Sequence, residues 1–280
     1  MTAIVQRVKR VLRPYRRGFA AWRAARAHNA SMTGEPLWFH PELPAPKSGI
    51  FAIAAALGRP IRRGTSAEHP TFAWADKTVT AAPPAALRDV GAINRDCVDI
   101  SKTTVDRVHG EVFGRSLTVD PTAHAGPMVE KSDDNATHDG RIVDGPLPAP
   151  SPGRVYQRVI DATDDGEAVD LRVAVVGDRL PVLNEKRRPL AVRFTNDNTA
   201  VIPRDVDEVL STDEQADLLA LARGIGMDFG EFDVLRDRTD GLIWVVDANK
   251  TPYLPAALSE QDRARTVSAL ADALEATLFS

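Results

Sequence analysis

Two aspartates and an asparagine in the last fifth of the chain could form an oxygen-rich site. Asp247 and Asn249 are two residues apart in an apolar segment, so on a strand both side chains point to the same face. A turn near Asp240 would pair this strand with an earlier segment and bring Asp233 opposite Asp247. Carboxylate and amide oxygens suit magnesium, so one interpretation is a metal site. The other is that these residues only end the strand in a turn, which Pro252 follows.

Cationic and polar side chains upstream supply the other groups that phosphoryl transfer needs. Lys131 ends an apolar strand ahead of a polar loop, and Gln157 is a polar residue within another predicted strand. Asp170 and Arg172 share one face of a third strand, and Arg193 follows it. The cations could neutralise phosphates, the glutamine could contact a base, and the acids could hold a metal. The pattern therefore indicates a phosphoryl-transfer site.

Two predicted hairpins would position these residues. Their turns are Gly177–Asp178 and Asp240–Gly241, and the paired strands cover 169–183 and 232–249. Ser101 caps a predicted helix of about three turns. Segments 29–48 and 133–154 are rich in proline or glycine and are predicted to be an extended connection and a loop. The basic run at 186–188 either meets an anionic substrate or forms a solvated turn.

Length and composition indicate an ordinary globular protein. The chain has 280 residues, of which 43% are hydrophobic and 26% charged, enough for one large domain or two small ones. The single cysteine, Cys97, excludes an internal disulfide and a cysteine-rich zinc site. No apolar run reaches the roughly 18 residues of a membrane span, and residues 1–28 lack an apolar signal core. We therefore expect a cytoplasmic protein.

The charge is unevenly distributed along the chain. Eight of the 35 basic residues, and none of the 39 acidic residues, lie in residues 1–28. The rest of the chain is therefore acidic, and we expect no nucleic-acid partner, because phosphate contacts dominate that affinity. Residues 1–28 are predicted to form a basic amphipathic helix, with an apolar face of Ile4, Val8, Leu12, Tyr15, Phe19 and Trp22. This helix could pack on its own domain or a partner subunit, or lie on an anionic membrane surface.

From Asp99 to Pro255 the chain resembles the ATP-grasp superfamily. No single motif is specific, but six occur in the expected order and spacing. They are Asp99-Ile100-Ser101-Lys102, Val129-Glu130-Lys131-Ser132, Tyr156-Gln157-Arg158-Val159-Ile160, Asp170-Leu171-Arg172-Val173 with Val176-Gly177-Asp178, Gly226-Met227-Asp228-Phe229-Gly230 leading to Asp233, and Val246-Asp247-Ala248-Asn249-Lys250-Thr251-Pro252. The resemblance implies an α+β fold in which two lobes with antiparallel sheets enclose a nucleotide site. It divides the chain into the basic helix at 1–28, a small N-terminal subdomain at 29–98 and an ATP-grasp core at 99–280.

The resemblance also implies roles for ten residues. ATP phosphates would contact Lys102 and Lys131. The base would be held by Gln157 and the backbone near Val159, and the ribose by Asp170. Magnesium would be held by the group Asp233, Asp247 and Asn249, and the γ-phosphate or the carboxylate substrate would face Arg172 and Arg193.

The usual reaction of the superfamily sets the expected function. It is an ATP- and magnesium-dependent ligation of a carboxylate to an amine through an acyl phosphate, with small-molecule or peptide substrates. The alternatives are a phosphotransferase acting on another acceptor, and a non-catalytic nucleotide-binding or scaffold protein. Two departures favour the last: an acidic loop at 132–140 replaces a glycine-rich phosphate cover, and Asp247 replaces a glutamate. Lys250 beside the metal residues could contact phosphate or only lower the negative charge. Whether the chain forms a homo-oligomer is left open.

Overall fold

The structure is a computed structural model that describes residues 18–278. Residues 18–29 are helical and form α1, so most of the predicted helix at 1–28 lies outside the described residues. Phe19 and Trp22, assigned to its apolar face, are 60% and 48% exposed, whereas Ala21 and Ala25 are buried. Within 18–278, no helix is both long and apolar enough to cross a membrane.

A three-stranded parallel sheet forms the N-terminal part of the described chain. Its elements, in chain order, are β1 (Leu37–Pro41), α2 (Gly49–Ala56), β2 (Ile61–Arg63), β3 (Thr71–Trp74) and α3 (Ala85–Asp89). The prediction of a connection over 29–48 is wrong at residues 37–41, which form β1. This strand is the central one, between β2 and β3. Leu37 and Phe39 are fully buried there, and their period-two spacing is typical of a strand.

A second, antiparallel sheet follows the helix that Ser101 caps. The elements are α4 (Lys102–Phe113), β4 (Gly126–Ser132), β5 (Arg141–Gly145) and β6 (Arg154–Arg158), with strand order β5-β4-β6. The Ser101 side chain accepts a hydrogen bond from Thr104 N, as the cap predicted. The prediction of a loop over 133–154 is wrong at residues 141–145, which form β5. This edge strand is mostly exposed, so its sequence carries little hydrophobic signal.

A six-stranded antiparallel sheet forms the largest layer. Its strands are β7 (Thr163–Asp164), β8 (Glu167–Val176), β9 (Leu183–Pro189), β10 (Ala200–Arg204), β11 (Phe229–Arg236) and β12 (Ile243–Asn249). The order is β10-β9-β8-β11-β12, with β7 on β8. The remaining helices are the 3-10 turn η1 (Leu190–Val192), α5 (Val206–Val209), α6 (Thr212–Gly224) and α7 (Glu260–Leu278). The predicted α+β class with two antiparallel sheets is confirmed.

Both predicted hairpins are present in the large sheet. β11 and β12 pair with Asp233 directly opposite Asp247, as the turn near Asp240 predicted. β8 and β9 pair around Gly177, whose φ of 59° fits a tight hairpin turn. β9 extends to Pro189, so the basic run at 186–188 lies in a strand rather than in a solvated turn.

β8 contributes to two hydrophobic clusters because it is buried on both faces. Val173 and Val175 pack with residues of α4 and α6, and Ala174 and Val176 pack with the N-terminal sheet, α2 and α7. The second cluster joins residues on both sides of the proposed boundary at 98/99. Burial of this shared surface fixes the N-terminal sheet against the sheet that carries the candidate site.

Asn94 adds a polar connection between the same two regions. Its Oδ1 accepts from the backbone N–H groups of Asp228 and Phe229, both at 2.8 Å, and its Nδ2 donates to Phe229 O at 2.6 Å. The residue is 2% exposed and has a φ of 59°, in the left-handed region that asparagine tolerates.

Substituting Asn94 should destabilise the whole protein. Asn94→Ala loses three buried hydrogen bonds and strains the backbone, so the free energy of unfolding should fall by about 3 kcal/mol. Urea unfolding followed by circular dichroism would measure it. Asn94→Gly removes the same hydrogen bonds without straining the backbone, so its free energy of unfolding should fall by most of the same amount. A stable Asn94→Gly protein would contradict the role of the hydrogen bonds.

Candidate functional site

A cleft of about 1650 Å³ lies where the N-terminal sheet, the loop after β4 and the large sheet meet. Eight of the ten predicted site residues line it: Lys102, Lys131, Asp170, Arg172, Arg193, Asp233, Asp247 and Asn249. The other two, Gln157 and Val159, line a smaller cavity of about 120 Å³, which shares Lys131, Asp170 and Arg193 with the cleft. The fold therefore brings residues from six motifs to two adjoining cavities.

The smaller cavity has mostly apolar walls. Gln157 lies at the end of β6 and is 3% exposed, and the chain continues along the wall through Val159 and Ile160. The opposite walls come from the large sheet and η1, with Leu190, Leu235 and Val246 among the lining residues. A slot of this kind, apolar with a few polar groups at its rim, suits a flat heterocyclic ring.

Four oxygen-bearing side chains share one face of the β11–β12 hairpin. Asp233 lies opposite Asp247, and Glu231 lies opposite Asn249. Glu231 was missed in the sequence, although its position two residues before Asp233 places it on the same face. Burial raises the pKa of Glu231 to about 7, against the attraction of Arg172. Its Oε2 lies 3.6 Å from Arg172 Nε and has no hydrogen-bond partner among the described residues.

Alternating charges cross three neighbouring strands on the same face. Asp233 accepts two hydrogen bonds from Arg172, both at 3.0 Å, and one from Lys186 at 2.8 Å. Lys186 also lies 3.5 Å from Asp170, which forms an ion pair with Arg188. Desolvation opposes ionisation of Asp233, but Arg172 and Lys186 outweigh it and hold the pKa of that carboxyl well below its usual range. A ribose contact by Asp170 stays a prediction, and it would share the carboxylate with these cations.

Lys186 and Arg188 are not among the ten residues predicted from the sequence, where a solvated turn was at least as good an interpretation of the basic run at 186–188. Each is 2% exposed. Their spacing of two on β9 puts both on the face that carries Asp170, because β8 and β9 pair with Asp170 opposite Lys186. The basic run was the signal for these cations, but only the length of β9 decides which of its residues are buried.

Two further lysines approach the acidic face from the other side of the cleft. Lys102, the first residue of α4, donates to Asp134 O at 3.0 Å and lies 3.9 Å from Asp247 Oδ1. Lys131, on β4, donates to Val246 O at 3.0 Å. Desolvation lowers the pKa of Lys131 to about 8, while Asp247 acts to raise it. Both ammonium groups thus border the space in front of Asp247.

Lys250 does not take part in this site. Its Nζ donates to Cys97 O at 2.9 Å, and the residue is 3% exposed. Of the two roles considered for Lys250, contact with phosphate is therefore wrong. β12 ends at Asn249, and Lys250 in the bend that follows directs its ammonium to the Cys97 carbonyl.

The loop at 133–140 covers the cleft, and two of its acids are directed to other partners. Asp133 accepts from the backbone N and the hydroxyl of Thr103, at 2.9 and 3.0 Å. Asp139 accepts from Ser132 N at 3.0 Å and forms an ion pair with Arg154. The sequence predicted that this loop brings negative charge close to the phosphates. Hydrogen bonds to Asp133 and the ion pair of Asp139 with Arg154 partly compensate that charge.

The same loop contacts the connection between β9 and β10. His138 Nε2 lies 3.0 Å from Asn196 Nδ2, and the Gly140 backbone packs against the Phe194 ring. A Cβ on Gly140 would lie 2.7 Å from that ring, so a larger residue would force the two segments apart. These contacts connect the loop at 133–140 to the opposite wall of the cleft.

The donor set fits a magnesium ion in its chemistry. Asp247 and Asn249 line the cleft, and Asn249 Oδ1 also accepts a hydrogen bond from Thr251 N at 3.0 Å. Glu231 Oε2 is a buried carboxylate oxygen without a hydrogen-bond donor among the described residues. Across 18–278, no group of three or more histidine, cysteine or acidic side chains is arranged to hold a metal. Magnesium needs only one or two protein carboxylates when phosphates and waters complete its shell. Asp233 could bind the metal only while its carboxylate also accepts hydrogen bonds from Arg172 and Lys186.

Comparisons by sequence and by structure gave different results. No family model matches the chain, and no curated protein matches it by sequence. Among solved structures, the ATP-grasp ligase PsnB complexed with minimal precursor is similar, with a TM-score of 0.55 and 15% identity over 88% of this chain and 99% of that chain. D-alanine–D-alanine ligase from Bacillus anthracis complexed with ATP is also similar, with a TM-score of 0.51 and 12% identity over 87% and 96%.

Removing one member of the buried charge network should destabilise the fold. Arg172→Met leaves Asp233 with Lys186 alone, so the free energy of unfolding should fall by about 2 kcal/mol. Arg179→Met is the matched control, because Arg179 is exposed and only faces exposed Asp178 at 3.8 Å. The control should change by less than about 0.5 kcal/mol. Equal losses in urea unfolding would contradict a structural role for the network.

Proposed function

We propose that this chain, which has the ATP-grasp fold, is an ATP- and magnesium-dependent ligase that joins a carboxylate to an amine. The observation that supports this most is the convergence of the ten predicted residues on two adjoining cavities. One cavity suits a base and the other is rich in cations and carboxylates. Structures of PsnB have been solved with AMPPNP and a precursor peptide, and with magnesium and ADP. Here, ATP, magnesium and peptide or small-molecule substrates are part of the proposal.

In this proposal the nucleotide lies across both cavities. The adenine occupies the smaller one, against Gln157 and the backbone near Val159, and Asp170 is close enough to both cavities to reach the ribose. The triphosphate extends into the cleft between Lys102 and Lys131. These two ammonium groups neutralise phosphate charge from the side of the cleft that faces the acidic residues, which favours a transition state with negative charge spread over phosphate oxygens.

The acidic face would hold the metal. Asp247 and Asn249 would be its protein ligands, with Asp233 shared between the metal and its cations. A bound magnesium ion would supply charge neutralisation for the β- and γ-phosphates. Asp233 also keeps Arg172 extended towards the cleft, where the guanidinium is available to an anionic substrate.

The chain's own cations would orient the reacting groups. A substrate carboxylate held by Arg172 and Arg193 attacks the γ-phosphorus, and ADP leaves with the electrons of the broken P–O bond. A neutral amine then attacks the acyl carbon, the C–O bond to phosphate breaks, and the departing phosphate takes the proton that the amine loses. The cations lower the charge repulsion between carboxylate and phosphate, and the loop at 133–140 shields the acyl phosphate from water.

The non-catalytic alternative rested on the acidic loop and on Asp247 in place of a glutamate. The first of these two arguments is weakened because Asp133 and Asp139 are held by Thr103 and Arg154. The phosphotransferase alternative shares every residue assigned above and differs only in the acceptor. A chemical trap for the acyl phosphate therefore separates the ligase from both alternatives.

Hydroxylamine should trap the intermediate. A panel of carboxylates is incubated with the protein, ATP, magnesium and hydroxylamine. With the carboxylate that is its substrate, the ligase should release ADP and form the hydroxamate in equal amounts. AMP and pyrophosphate would indicate attack at the α-phosphorus instead. A phosphorylated alcohol without hydroxamate would show the phosphotransferase. Nucleotide binding without any turnover across the panel would favour the non-catalytic protein.

Asp247→Ala should weaken ATP binding only when magnesium is present. Calorimetric titration should show an affinity loss of about tenfold or more with magnesium, because a metal ligand is gone. Without magnesium the affinity should stay the same or rise, because a carboxylate near the phosphates is removed. Asp178→Ala, exposed in the β8–β9 turn, should match the unmodified chain. An equal loss with and without magnesium would contradict the metal assignment.

A further inference from the structure

Asn135 lies where four segments of the chain meet above the cleft. Its Nδ2 donates to Ala248 O at 2.6 Å, and its Oδ1 accepts from Lys102 Nζ at 3.3 Å. Its backbone N donates to Thr78 Oγ1 at 2.8 Å. One residue of the loop at 133–140 therefore contacts α4, β12 and the segment that follows β3.

These contacts determine where the Lys102 ammonium lies. Three acceptors surround it: Asp134 O at 3.0 Å, Asn135 Oδ1 at 3.3 Å and Asp247 Oδ1 at 3.9 Å. The two nearer acceptors are uncharged. A neutral acceptor orients an ammonium group without cancelling its charge, so that charge remains available to an anion in the cleft.

The other end of the same amide contacts the acidic face. Ala248 lies between Asp247 and Asn249 on β12, and its carbonyl receives the Asn135 amide at 2.6 Å. The side chain thus sets the distance between the Lys102 ammonium and the strand that carries two predicted metal ligands. An aspartate, with no donor for Ala248 O, or an alanine could not make both contacts.

We propose that Asn135 is a positioning residue for the nucleotide phosphates: it aims Lys102 into the cleft and ties the covering loop to β12. This rests on the proposed function, because the phosphates are those of ATP. It goes beyond the ten residues predicted from the sequence, where Asn135 was only part of an acidic loop. The geometry assigns the loop a second role, in which it orders a cation as well as covering the site.

A double-mutant cycle with Lys102 tests the proposal. ATP and adenosine affinities are measured by calorimetry, with magnesium, for the unmodified chain, Asn135→Ala, Lys102→Ala and the double variant. Asn135→Ala should weaken ATP binding about tenfold and leave adenosine binding unchanged, since adenosine carries no phosphate. In the Lys102→Ala background, Asn135→Ala should have less than about a twofold further effect, because its partner is gone.

Thr122→Ala is the matched control, outside the cleft. The Thr122 hydroxyl donates to Asp120 at 2.7 Å in an exposed turn, and neither residue lines either cavity. It should bind ATP like the unmodified chain, and thermal unfolding without ligand shows whether each variant is folded. Additive losses in the cycle, equal losses for ATP and adenosine, or no loss in Asn135→Ala would each overturn the proposal.

The same data separate this inference from the function on which it rests. If the unmodified chain binds neither ATP nor adenosine, the proposed function is wrong and the role of Asn135 falls with it. If the unmodified chain binds ATP and Lys102→Ala weakens it while Asn135→Ala does not, the nucleotide site stands and only the positioning role is wrong.

Discussion

The cations in the cleft must remain charged and separated before any anionic ligand is present, and this constraint shapes the structure around them. Arg172, Lys186 and Arg188 are brought together from two adjacent strands. Buried like charges repel strongly, and a buried charge without a partner is costly. Asp233 and Asp170 compensate them at hydrogen-bond or ion-pair distance. The carboxylates of this site therefore hold the protein's own cations, and the proposed metal would have to share Asp233 with them.

That compensation depends on strand register. β11 and β8 pair with Asp233 opposite Arg172, and β8 and β9 pair with Asp170 opposite Lys186. A shift of one residue in either pairing would move the charged side chains to the apolar face and bury them unpaired. The irregularity in the β11–β12 pairing is the extra residue Val246 on β12, which lies between the pair Val234–Val245 and the pair Asp233–Asp247. Buried valines on both faces of β8 pack into the two hydrophobic clusters, and this packing fixes the register.

The parts of the site predicted from the sequence are those set by local rules. Period-two alternation placed Asp247 with Asn249 on one face, and turn chemistry at Asp240 predicted the pairing with Asp233, which the structure confirms. The same alternation could have identified Glu231. Lys186 and Arg188 required the length of β9, which a basic segment does not show. β1 carried a local signal in the period-two spacing of Leu37 and Phe39. β5 and the contacts of Asn135 depend on tertiary pairing, because the edge strand is mostly exposed and the loop residue has partners far along the chain.

The proposed function puts one nucleotide across both cavities, with its base in the smaller one. Photolabelling with 8-azido-ATP in the presence of magnesium, followed by peptide mapping, locates the base. If the base lies in the smaller cavity, the label falls on its walls, at residues 117, 129–131, 157–163, 168–170, 190–194, 235 or 246, and excess ATP prevents labelling. Labelling elsewhere, or labelling that ATP does not reduce, would contradict it.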